Sequence, residues 1–111
     1  MNLKESIHFK MGEFLLLCKS HKVKHLYAFG SSITDQFNEK TSDIDFLIEI
    51  DSDDPIERGE NLMNIWEKFD NFFQRRVDLL TNSSIKNPIL RKSIDATKIL
   101  IYDGKEQKIS F

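Results

Sequence analysis

Hydrophobic residues along the chain follow two rhythms: steps of three or four residues, and short, nearly continuous apolar runs. Leu3, Ile7, Met11, Phe14 and Cys18 recur at helical steps, with Lys4, Glu5, Lys10, Glu13 and Lys19 off that stripe. This predicts a helix from Asn2 to about His21. Val23 to Phe29 is rich in β-branched and aromatic residues, predicting a strand that ends at Gly30. From Gly30 to about Lys40 the chain is polar and reads as a loop. Ile44 to Ile50 is the clearest strand, stopped by Asp51, Ser52, Asp53, Asp54 and Pro55. Asp54 followed by Pro55 predicts a helix start, with proline at the first helical position and acids near the positive end. Leu62, Trp66, Phe69 and Phe73 carry that helix to about Gln74. Arg76 to Thr81 predicts a short strand. Asn87-Pro88 opens a short helix to about Ile94. Lys98 to Tyr102 predicts a last strand, closed by the Asp103-Gly104 turn.

The order helix, strand, strand, helix, strand, helix, strand predicts an α/β (α+β) fold, a small mixed β-sheet of about four strands with helices packed on it. The pattern does not reveal strand order or direction. No repeat, low-complexity tract or Pro/Gly-rich linker divides residues 1–111, so a single domain is expected.

Charge narrows the function classes. Sixteen Lys and Arg against eighteen Asp and Glu give a net charge of −2, without the basic excess that coating nucleic acid needs. The single cysteine, Cys18, excludes an internal disulfide and a cysteine-based zinc cluster. The apolar run Phe14–Cys18 is too short for a signal-peptide core or a membrane span, so the cytoplasm is the expected compartment and no membrane partner is expected.

The candidate chemistry lies between Phe29 and Glu49. Asp43-Ile44-Asp45 stands where a hydrophobic strand begins, and alternation along a strand puts both carboxylates on one face. Such a pair repels unless a cation or base lies between the carboxylates, and a hard cation such as Mg²⁺ takes oxygen ligands. Gly30-Ser31-Ser32 directly follows a strand. Glycine allows a sharp turn there, and successive N–H groups with two hydroxyls can hold phosphate oxygens. A third carboxylate, Asp78, sits in the apolar strand Val77-Asp78-Leu79-Leu80. If that strand lies beside the Asp43–Asp45 strand, three acids face a phosphate-binding turn, the parts needed for metal-assisted phosphoryl or nucleotidyl transfer. Plainer roles compete for each acid alone: a turn or cap for Asp43, a solvent-facing edge for Asp45, and an ion pair with Arg76 for Asp78. The three acids and the turn together, in this order, are harder to explain that way.

These residues resemble the minimal nucleotidyltransferases of the DNA-polymerase-β-like superfamily. The signature there is a Gly-Ser turn, a loop of about ten residues, an Asp-x-Asp pair and a later acid on a neighbouring strand. Here these are Gly30-Ser31, the Ser32–Ser42 loop, Asp43-Ile44-Asp45 and Asp78. The opening helix, the Val-Asp-Leu strand and the closing Ile-Leu-Ile-Tyr strand extend the likeness over nearly the whole chain. The resemblance implies that Asp43, Asp45 and Asp78 are catalytic and bind Mg²⁺, with Asp78 acting on the attacking hydroxyl. It implies that Gly30, Ser31 and Ser32 hold the phosphates of ATP. It also implies a partner, a small helical HEPN-type toxin. The chain would act as its antitoxin by moving AMP onto a tyrosine.

The chain departs from that pattern in two places. Ser32-Ile33-Thr34-Asp35 carries an acid where many relatives carry Arg and Gly, and the loop is one residue longer than the common spacing. Lys40, Arg75 and Arg76 are candidates for the missing charge. The departures favour an alternative in which the chain neutralises its partner by contact alone. Transfer to a small molecule or an RNA end is a further alternative, although it normally needs an added domain to grip the acceptor.

The remaining conspicuous residues have ordinary readings. His8, His21 and His25 lack metal-ligand spacing and are expected to be surface or half-buried residues. Cys18 is expected in the core. Trp66, Phe69, Phe72 and Phe73 span more than one helical stripe, so part of that set can form a partner surface. The Asp51–Asp54 acids read as a solvated turn and helix start, and Lys19, Lys22 and Lys24 as a solvated helix end.

Overall fold

The structure is a computed structural model that describes residues 3–30 and 43–110. Helices α1 (Leu3–Phe9) and α2 (Met11–Ser20) lead into β1 (Val23–Phe29). Strand β2 (Ile44–Ile50), helix α3 (Pro55–Phe73) and strand β3 (Val77–Leu80) follow. A 3-10 turn (Asn82–Ser84), α4 (Pro88–Thr97), β4 (Ile99–Asp103) and the short β5 (Lys108–Ile109) complete the described chain. The predicted strands β1 and β2 have the expected ends.

Three differences from the pattern have physical causes. The opening helix is two helices, because Lys10 leaves the helical region at φ −125° and ψ 46°. The apolar stripe runs through this break: Leu3 and Ile7 before it and Phe14 and Cys18 after it enter the same core. Continuous periodicity therefore hides the kink. Helix α4 runs on to Thr97, past its last buried residue, Ile94. A fifth strand, β5, pairs Tyr102 with Ile109 and Asp103 with Lys108, and two residues are too few to show alternation.

The sheet order is β3-β2-β1-β4-β5. β1 runs antiparallel to β2 and β4, and β2 runs parallel to β3. Parallel neighbours need a crossover, which α3 supplies. Its start is set by Asp54, whose side chain accepts from the Ile56 N–H at 3.0 Å. Asn87 caps α4 in the same way, accepting from Ile89 at 2.9 Å.

One face of the sheet is covered by α2 and α3. Ile44, Phe46 and Ile48 of β2 bury there with Phe14, Cys18, Ile65 and Phe69. Phe14 stacks on Phe69 at 5.6 Å, and Phe46 meets Phe69 at 5.5 Å and Phe73 at 5.8 Å. Each such side chain contributes about 1.5–3 kcal/mol on burial. The other face carries a smaller cluster of Phe29, Leu47, Ile85 and Ile94. Because β2 alternates, Asp45 emerges on this second face beside Leu47. Among the described residues, no helix is long and apolar enough to cross a membrane.

Candidate active site

The strand ladder sets the relation between the acids. β2 and β3 pair in parallel with Ile44 opposite Val77, Asp45 opposite Asp78 and Phe46 opposite Leu79. Neighbouring strands lie about 4.8 Å apart, so the two carboxylates stand side by side. Both escape the main core because their neighbours Ile44, Phe46, Val77 and Leu79 enter it. Asp43 directly precedes β2, and the Ile44 N–H there donates to the Arg76 carbonyl at 3.1 Å.

Arg76 holds the cluster from the side. Its Nε lies 3.3 Å from Asp78 Oδ1 and 4.0 Å from Asp43 Oδ2. The ion pair considered for Asp78 is therefore present, and it extends to Asp43. Asp45 feels the cost of the arrangement most. Burial first, then the charges of Asp78 and Asp43, push its carboxyl up to about 6.

Gly30 closes on Asp45 from β1, where Phe29 pairs with Asp45 in the ladder. It adopts φ +69°, and a Cβ built on it would lie 2.8 Å from Asp45 Oδ2. A side chain would have to displace the carboxylate. The backbone at Gly30, where the chain leaves β1, thus lies directly against the Asp45 carboxylate. Ser31, Ser32 and Lys40 lie outside the described residues.

The donor set suits a hard divalent cation: carboxylate oxygens on adjacent strands, with repulsion at Asp45 that such an ion would relieve. Among the described residues, no group of three or more His, Cys, Asp or Glu side chains is arranged to hold a metal ion as it stands. The guanidinium bridging Asp43 and Asp78 is part of that arrangement.

Two supporting residues escaped the sequence reading. The N–H of Val77, beside Asp78, donates to Asp70 Oδ1 at 2.9 Å, and the Trp66 indole N–H donates to the Val77 carbonyl at 2.6 Å. Both come from α3 and fasten the start of the edge strand β3. The signal was an aspartate and a tryptophan four residues apart on one helix, which sequence alone cannot aim at a strand. Trp66 is thus half in a polar role, while Phe69, Phe72 and Phe73 pack with the core. His21 is buried rather than exposed or half-buried, its Nδ1 lying 2.8 Å from the Leu17 carbonyl. Lys19, Lys22 and Lys24 border a cavity of about 710 Å³ at the opposite end of β1, away from the acids.

The nucleotidyltransferase domain family matches residues 13–102. The chain belongs to that family. A Methanocaldococcus jannaschii relative named "putative protein adenylyltransferase" is 38% identical over 85 residues, covering 77% of this chain and 83% of the relative. Two solved structures share the fold. One, described as a "putative minimal nucleotidyltransferase", superposes with a TM-score of 0.60 at 21% identity, covering 89% of this chain and 95% of its own. The other is a toxin–antitoxin structure with AMP-PNP, with a TM-score of 0.55 at 23% identity, covering 86% of this chain and 76% of its own. The expected α/β architecture is therefore that of a minimal nucleotidyltransferase, and the chain's enzyme class is nucleotidyltransferase.

Proposed function

We propose that this nucleotidyltransferase moves AMP from ATP to a hydroxyl of a partner protein, a tyrosine of a small helical HEPN-type toxin, and so acts as its antitoxin. The observation that carries the reading is the Asp45–Asp78 rung with Gly30 pressed against it. The adenylyltransferase name of the curated relative and the AMP-PNP toxin–antitoxin neighbour support the choice of nucleotide and partner.

In this reading Asp43, Asp45 and Asp78 hold Mg²⁺. The bound ion supplies charge neutralisation for the triphosphate and lowers the pKa of the attacking hydroxyl. Gly30, Ser31 and Ser32 position the phosphates through backbone N–H groups and hydroxyls. The acceptor oxygen bonds to the α-phosphorus as the bond to the β-phosphate oxygen breaks, and pyrophosphate departs. Asp78 accepts the hydroxyl proton. The adjacent rungs fix the carboxylates before substrate arrives, so orientation costs little at the moment of transfer.

A second reading, neutralisation by contact alone, is favoured by Ser32–Asp35, which carries an acid and no base. Incubation with α-phosphate-labelled ATP, Mg²⁺ and a lysate of the source cell separates the two. Label on one small protein with wild type, and none with Asp45→Asn, is the expected result. A partner that co-purifies with both proteins yet takes no label from either would establish the contact-only role.

A further inference from the structure

Arg76 is a cation already standing among the acids. Its guanidinium reaches Asp78 and Asp43 while the side chain stays 74% exposed, so charge rather than packing holds it there. Arg76 directly precedes β3, and it reaches both Asp78 on that strand and Asp43 just before β2. A guanidinium and a divalent cation beside the same carboxylates compete for their charge and repel each other, so each weakens the hold of the other.

We propose that Arg76 is an internal counter-ion that neutralises Asp43 and Asp78 in the resting protein and is displaced when a divalent cation enters. The inference rests on the assignment of the three aspartates as metal ligands. Two properties suit Arg76 to the task. Exposed ion pairs are weak, so the guanidinium leaves easily. Arginine keeps its charge at any working pH, so the resting state is neutralised throughout. Once displaced, the long side chain remains beside the site, where its fork-shaped donors match phosphate oxygens. It then supplies charge that Ser32–Asp35 lacks.

The test is a titration of Mn²⁺ without nucleotide, read from the paramagnetic resonance signal of the free ion. Arg76→Ala should bind Mn²⁺ about three- to tenfold more tightly than wild type, because a competing positive charge is gone. Arg76→Lys should bind nearer to wild type. Equal or weaker binding by Arg76→Ala overturns the proposal, as does the absence of measurable binding by both proteins. Asp45→Asn separates the layers. Binding that persists unchanged in Asp45→Asn places the ion elsewhere and overturns both the ligand assignment and the proposal. Binding lost in Asp45→Asn but identical in wild type and Arg76→Ala overturns only the counter-ion role. The Arg76 side chain is largely solvated, and a thermal melt of each variant verifies that it is folded.

Discussion

Gly30 points its bare Cα at the carboxylate of Asp45: a methyl group there would lie 2.8 Å from Oδ2. The glycine is needed twice, since its φ of +69° is also a conformation that costs other residues about 1–2 kcal/mol. Gly30→Ala should therefore remain folded with slightly lowered stability while transfer falls by about 100-fold, the penalty for a displacement on the order of 1 Å at a reacting centre. A circular-dichroism melt beside a labelled-ATP rate checks both. A rate within a factor of about three of wild type would show that the contact is not functional.

Asp45 links the site to pH. In the unfolded chain its carboxyl titrates near 3.8, and in the folded protein near 6. Below 3.8 both states are protonated and the carboxyl carries no penalty. As pH rises from there through 6, the folded state must ionise in an unfavourable place, so this contribution lowers stability and the loss persists above 6. Solvent reaches the cluster, so the penalty is about 1 kcal/mol rather than the full conversion of the shift. Asp45→Asn should consequently melt a few degrees higher than wild type at pH 8 and at much the same temperature at pH 3.5, while losing transfer activity. A lower melting temperature at pH 8 would contradict the assigned repulsion.

Asp70 acts at one remove from the acids. Its side chain accepts the Val77 N–H, and Val77 adjoins Asp78. Asp70→Ala leaves that donor without its partner and should cost about 1–2 kcal/mol in a urea melt. Asp70→Asn keeps a carbonyl acceptor and should recover most of it. At a temperature where all three proteins are folded, the Ala variant should show a lowered kcat, because β3 positions Asp78. An unchanged kcat would confine Asp70 to stability.

Cys18 is fully buried, and burial pushes its thiol well above the ordinary range. Thiolate is the reactive form, so the native protein should resist iodoacetamide at pH 8 and react promptly in guanidinium. Rapid labelling of the folded protein would show that α2 opens readily.

Much of this arrangement was legible in the residues, for identifiable reasons. Ile44–Ile50 and Val23–Phe29 are dense in strand-forming residues and bounded by strong stop signals, and their ends agree with β2 and β1. Asp54-Pro55 and Asn87-Pro88 encode their own caps locally, and both caps form. Local pattern also put Asp45 on the face opposite Ile44. What it did not contain was pairing. The Arg76–Asp78 pair, two residues apart on one strand, was readable; that Asp78 stands opposite Asp45, that Arg76 also reaches Asp43, and that Asp70 and Trp66 bind Val77 are contacts across chain separations no periodicity reports. The kink at Lys10 was invisible for a different reason: the hydrophobic stripe is set by what is buried, and both helices bury the same side.

The Asp45–Asp78 rung has a consequence for how the protein fails. The two carboxylates are joined through backbone rungs on either side, Ile44 with Val77 and Phe46 with Leu79, and all four of those side chains lie in the main core. Drawing the acids apart means breaking the ladder, and breaking the ladder exposes the core. The pair therefore belongs to the most cooperative unit of the molecule rather than to a fringe that opens on its own. Amide protons of Phe46 and Asp78, which the parallel register turns into the β2–β3 ladder, should exchange with deuterium only through whole-molecule opening. Heat should accordingly leave the spacing of these two acids intact until the fold itself is lost.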